Sequence, residues 1–388
     1  MLLLVSVVVV VVIRLSRDAA FKLGIYGMGA EGGVRWRSMT RAAGGSIGIV
    51  WRAPLPGRAT DSIPATDGER IYAVFGDAGV VAIRPSDGAV LWHGTQKWYL
   101  PMNAAVRGGL VFTAEAIVVA RDSRTGELRW EFTPDANASM GRLAADESAV
   151  YFGTGETSHT LYALSATDGT LLWRTKLGPD WEYKAWVEGV SVTDDIVYAG
   201  VTQFRAHNGY LSSAWTFAID RGSGRVLWSY QAGSGADART TKAGPTVADN
   251  RLLISDYGAN AAYALDRFTG RELWRTEFDN GFVGPREPPI VDGALVYVGS
   301  GDCHLYALDP ASGRVVWCTN VEASIHAVAV CGKRILVQML GLAVIDRRTG
   351  RRLGWMFDEG EFPTSGFAVL GEQAFVSGNK AMYLLDCR

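Results

Sequence analysis

Four cysteines and five histidines are the residues most able to do chemistry in this 388-residue chain, and their spacing argues against it. Cys303, Cys318, Cys331 and Cys387 form neither a CxxC pair nor a CxxCH haem-attachment motif. The histidines supply no metal-ligand spacing. No cluster combines a nucleophile, a base and an orienting group, so catalytic residues, metal and cofactor are all expected to be none. A net charge of −2 argues against a general nucleic-acid-binding surface. The remaining candidates are aromatic and cationic. KLGPDWEYKAW carries Trp181, Tyr183 and Trp186, and GVTQFRAHNGYLSSAW carries Phe204, Arg205 and Tyr210. Large rigid rings beside an arginine are typical anchors of protein interfaces.

What positions these side chains is a repeat. Apolar-Ala, one residue, Asp, three residues, Gly, three variable residues and Trp recur, with Arg84 and Ser165 at the Asp position in two copies, as VAIRPSDGAVLW, VARDSRTGELRW, YALSATDGTLLW, FAIDRGSGRVLW, YALDRFTGRELW and YALDPASGRVVW. A seventh copy, AVIDRRTGRRLGW, carries one extra residue between Gly350 and Trp355. An eighth begins as YLLDCR, and the repeat-type Trp it needs stands at the other end, in GIVW ending at Trp51. Each unit reads as strand, turn, strand. The Asp accepts turn N–H groups, the Gly supplies a positive φ, and the Trp packs between neighbours from an outermost strand. Two further strands precede each unit, and four strands per ~40 residues make a propeller blade. The expected fold is all-β: an eight-bladed β-propeller whose last blade, with inner strands from about Gly366 to Leu385, is closed by the strand of Trp51. Shared closure buries sheet edges that an open ring would expose.

The repeat resembles that of the pyrroloquinoline-quinone-type propellers from about Gly48 to Arg388. That family contains dehydrogenases and non-enzymatic scaffolds, the latter including the periplasmic lipoprotein of the outer-membrane-protein assembly machine. The dehydrogenases are usually longer, many carry adjacent paired cysteines, and they hold Ca²⁺ and a quinone. No Cys-Cys pair occurs here. The resemblance therefore implies a scaffold without an enzyme's cofactor, although the lipid-anchoring cysteine of that lipoprotein is missing.

Within such a ring, both aromatic stretches fall on one face at the fourth blade, where the Trp spacing widens to 55 residues. Long connections with large aromatics are expected either to contact a partner or to seal their own blade. Arg239, Lys242, Arg286, His304 and His326 fall on the same face and are candidates for lining a central funnel. Cys303 and Cys318, on the third and fourth strands of the sixth blade, are the expected disulfide, with Cys331–Cys387 ranked behind. Residues Leu2–Ile13 are apolar except Ser6, about 18 Å as a helix and short of a ~30 Å hydrocarbon core. The division is 1–17 as signal or membrane-anchor segment, 18–46 as linker and 47–388 as propeller. Arg14, Arg17 and Lys22 follow the apolar run, a pattern that by itself favours a cytoplasmic side. The functional expectation is a scaffold or accessory subunit of a membrane protein complex on the exported, periplasmic face, attached to the membrane through its N-terminus. A quinone-dependent dehydrogenase and a ligand-sensing propeller are the alternatives.

Overall fold

A computed structural model describes residues 47–95, 103–114, 116–134, 140–156, 158–179, 181, 184–204, 211–236, 244–256, 259–278, 287–356 and 361–388. The expected anchor and linker, residues 1–46, lie outside them. The described residues form 32 strands and no helix, arranged as eight antiparallel sheets of four. Seven sheets are consecutive in sequence. The eighth has the order β1-β32-β31-β30, where β1 is Gly48–Pro54, β30 Ala368–Leu370, β31 Gln373–Ser377 and β32 Ala381–Asp386. Trp51 lies opposite Leu384 on the outermost strand, as the split repeat predicts.

Second strands are sandwiched between neighbouring blades, which covers both of their faces. Ile71–Phe75 (IYAVF) and Ala149–Gly153 (AVYFG) are accordingly buried at every residue. Outermost strands such as Leu171–Lys176 are exposed or half-buried throughout. Each also carries a register shift just before its tryptophan, as between Ala163 and Leu164 opposite it. Such bulges blunt an otherwise pairable edge.

The turn chemistry holds the blades together. The Asp309 carboxylate accepts the backbone N–H groups of Ala311 (3.0 Å) and Ser312 (2.8 Å) and the Ser312 hydroxyl (2.7 Å). Gly313 follows at φ 71°. It is glycine for a second reason: a Cβ there would lie 2.5 Å from the Trp274 ring of the preceding blade. Trp51, Trp92, Trp130, Trp173, Trp228 and Trp317 sit in the same way on Gly88, Gly126, Gly169, Gly224, Gly270 and Gly350. Six of these seven indoles also donate to a carbonyl of the next blade at 2.6–3.1 Å, for example Trp274 to Pro310.

Three details differ from expectation. The fourth blade's extra length lies largely in its strands: β14 Ala185–Val192, β15 Ile196–Phe204, β16 Leu211–Asp220 and β17 Val226–Ala236 run 8 to 11 residues. Trp355 does not reach toward the next blade but packs with the core between the sixth and seventh blades. The expected Cys303–Cys318 disulfide is also absent. Cys331 is bonded to Cys387, Cα–Cα 5.7 Å, and Cys303 and Cys318 are free. Register explains this. Cys318 lies opposite Tyr306, whereas the Cys303 carbonyl accepts the N–H of Val321. Three residues of strand, about 10 Å, separate the two positions, beyond the ~7 Å that a disulfide spans.

Candidate docking face

The start of β14 and the end of β15 lie side by side at one end of the fourth blade, Ala185 opposite Gln203. Trp186, second residue of β14, meets Phe204, last of β15, edge to face at 4.8 Å and 87°. Its indole covers Gly155 of the third blade so closely that a Cβ would lie 1.7 Å from the ring. Trp181 packs against His159 of the third blade at 4.9 Å with the rings tilted by 35°, and lies 6.2 Å from Trp215 of β16. The backbone fixes the arrangement. Ala185 N–H donates to the Glu156 carbonyl (2.9 Å), Phe204 N–H donates to the Lys184 carbonyl (2.8 Å), and Lys184 pairs with the Glu156 carboxylate at 3.1 Å.

Trp181, Trp186 and Phe204 thus form a roof over the junction of the third and fourth blades. Ring contacts of this kind contribute about 0.5–1.5 kcal/mol each. All three remain half-buried, so the roof seals its own blades and also offers aromatic surface outward. Tyr183, Arg205 and Tyr210 lie outside the described residues.

Of the funnel candidates, Arg239, Lys242 and Arg286 also lie outside the described residues. His304 opens the third strand of the sixth blade, His304–Leu308. Its backbone N–H donates to the Asp302 carboxylate (3.0 Å), and its Nδ1 is 3.0 Å from the Asp302 carbonyl. The same carboxylate accepts the Tyr306 hydroxyl at 2.6 Å, so Asp302 organises this turn. His326 is exposed at the lead-in to the inner strand of the seventh blade, its N–H donating to the Gln338 carbonyl at 2.8 Å.

The central opening contains a pair that the sequence reading did not single out. Arg142, before the inner strand of the third blade, donates two hydrogen bonds to Glu287, before the inner strand of the sixth, at 2.6 and 2.9 Å. The third and sixth blades are three places apart in a ring of eight, one short of opposite, so this fork links blades that are not neighbours. Arg142 keeps only 8% of its side chain exposed and Glu287 22%. Bidentate guanidinium–carboxylate pairs are among the stronger charge-assisted contacts. The signal that could have found them was position. Both residues stand just before an inner strand, Arg142 before Ala144–Ala145 and Glu287 before Ile290–Asp292. Among the described residues, no group of three or more metal-ligating side chains comes together.

A ring of four-stranded blades tied by a repeat Trp and an Asp/Gly turn defines a quinoprotein-like β-propeller. The chain belongs to the family described as outer membrane protein assembly factor BamB, whose model matches residues 41–132, 114–231 and 212–356. It is similar to the outer membrane protein assembly factor BamB of Yersinia pestis, 26% identical over 224 residues that cover 52% of each chain. It is also similar to the tetrathionate hydrolase of Acidithiobacillus ferrooxidans, 24% identical over 205 residues, 50% of this chain and 40% of the other. The chain therefore spans about half the length of the curated relatives it matches. The crystal structure of BamB from Moraxella catarrhalis superposes with a TM-score of 0.63 at 16% identity, over 88% of this chain and 98% of the other, a likeness of fold.

Proposed function

We propose that this chain is a non-catalytic scaffold propeller, an accessory subunit of a membrane-bound machine that assembles outer-membrane proteins, working on the exported, periplasmic side. The observation that carries the reading is the family match, which runs from the closing strand through the seventh blade. The aromatic roof over the third and fourth blades supplies the docking surface, joined by Tyr183, Arg205 and Tyr210 from the adjoining connections. The N-terminal segment tethers the propeller and raises its effective concentration at the machine.

The test is purification of the tagged full chain from native membranes, with and without Trp186→Ala plus Phe204→Ala. Loss of copurifying membrane subunits, with the propeller still folded, supports the reading. Lower thermal stability with an unchanged set of partners leaves the roof structural and rejects it as the docking surface.

One relative favours a second reading, an enzyme: the tetrathionate hydrolase similar to half of this chain. Purified protein incubated with tetrathionate, and separately with quinone, Ca²⁺ and a panel of alcohols and sugars, is expected to give no turnover. Turnover in either assay would put the enzymatic reading first.

A further inference from the structure

Seven of the eight junctions between blades are filled by a tryptophan seated on the next repeat's glycine. The junction between the seventh and eighth blades is built differently, because the extra residue before Trp355 changes its register. Trp317 lies opposite Ala307, two residues before the turn Asp309, whereas Trp355 lies opposite Ala343, three before Asp346. One step along a strand turns a side chain to the opposite face. Trp355 accordingly packs between the sixth and seventh blades, and Leu353 and Met356 face the eighth instead. Among the described residues the Trp355 indole donates no hydrogen bond, and Arg352 lies over its ring at 5.0 Å.

The junction that lacks the indole tie holds the disulfide. Cys331 ends the inner strand of the seventh blade, Ala327–Cys331, and Cys387 follows β32 of the closing blade. Both are fully buried in a core shared with Ile47, Leu336 and Leu385. The Cys387 N–H donates to the Glu372 carbonyl at 2.9 Å, which seats it beside the closing sheet.

We propose that Cys331–Cys387 is the covalent latch of the ring, standing in for the tryptophan at the closing junction, and that the chain matures where a dithiol oxidant is present. Closing the bond removes two protons and two electrons from the two thiols. One thiolate attacks an external disulfide, that of an oxidised dithiol protein, and forms a mixed disulfide. The second thiolate then displaces that carrier, which leaves with both of its sulfurs reduced. Because both cysteines are buried once the eighth blade is docked, exchange takes place before docking or through an opened closing blade.

The experiment uses the full chain expressed with export to an oxidising compartment. A non-reducing peptide map should show one crosslink, Cys331 to Cys387, with Cys303 and Cys318 alkylated. Hydrogen exchange is then compared between Cys331→Ala plus Cys387→Ala and the control Cys303→Ala plus Cys318→Ala. Loss of the latch should speed exchange in β1 and β30–β32 by at least ~10-fold while the third blade is unchanged. Free thiols at Cys331 and Cys387, a crosslink to Cys303 or Cys318, or equal exchange in the closing blade would each overturn the proposal. If the double variant does not fold, the native protein is unfolded, reduced and refolded with and without glutathione disulfide. Identical closing-blade exchange in the two products is the overturning result there.

Discussion

In six of the repeats the tryptophan acts twice, filling the junction with its ring and donating its N–H to the neighbour's backbone. The two roles can be separated by substitution. Trp274→Phe keeps most of the ring but loses the bond to Pro310, and should cost about 1 kcal/mol in chemical denaturation. Trp355→Phe has no such bond to lose and should cost measurably less. If the two changes prove equal, the indole bond is not what ties the blades. The turn aspartates predict the acid limb of stability. Hydroxyl groups of Ser223, Thr269, Ser312 and Thr349, together with turn N–H groups, hold Asp220, Asp266, Asp309 and Asp346 below the ordinary carboxylate range. Asp386 is lowered to about 2, chiefly by its bonds from Arg388. In the unfolded chain these groups titrate near ~3.9. Their contribution is therefore complete above that pH and is lost as pH falls through the folded values. Thermal melts should fall steeply from about pH 4 toward pH 2, and Asp309→Asn should flatten part of that slope.

At the level of strands and sheets, β1 occupies an edge that would otherwise be open. Deleting residues 47–54 should leave β32 as an unpaired edge and drive self-association, read by size-exclusion chromatography with light scattering. A monomer of unchanged stability would show that β1 is dispensable. The repeat made this architecture legible because each signal in it, turn Asp, turn Gly and outer Trp, has one local geometric role. Where the reading went astray, the deciding contacts were non-local or the local signal was weak. LSSAW and YQAGSGA carry little β-propensity, yet they lie in β16 and β17 because four long strands pair along their whole length. The Cys303–Cys318 pairing rested on nearness in one hairpin, which a three-residue offset defeats. The extra residue before Trp355 was visible, but its effect, a side chain turned to the other face, needed the strand register.

Across the whole ring, Arg142–Glu287 is a brace between two blades that are not neighbours, and nothing in either local sequence announces its partner 145 residues away. Removing one member leaves a largely buried charge unpaired. Glu287→Ala should therefore cost about 3 kcal/mol or more, while Arg142→Met with Glu287→Leu should cost far less than the two single changes added together. Additive losses in denaturant melts would mean that the two charges do not act as a pair.

The shared eighth blade sets a timetable for the newborn chain. Arg52 and Tyr383 meet across that sheet although 331 residues separate them. At translation rates of ~5–20 residues per second, the N-terminal partner waits roughly 15 to 65 s for its mate to exist. Each intermediate blade can pack on its predecessor as it emerges, while this earliest strand stays unclaimed, an adhesive ribbon in a crowded milieu. Nascent propellers would then need shielding at their oldest end, not at the end still being made.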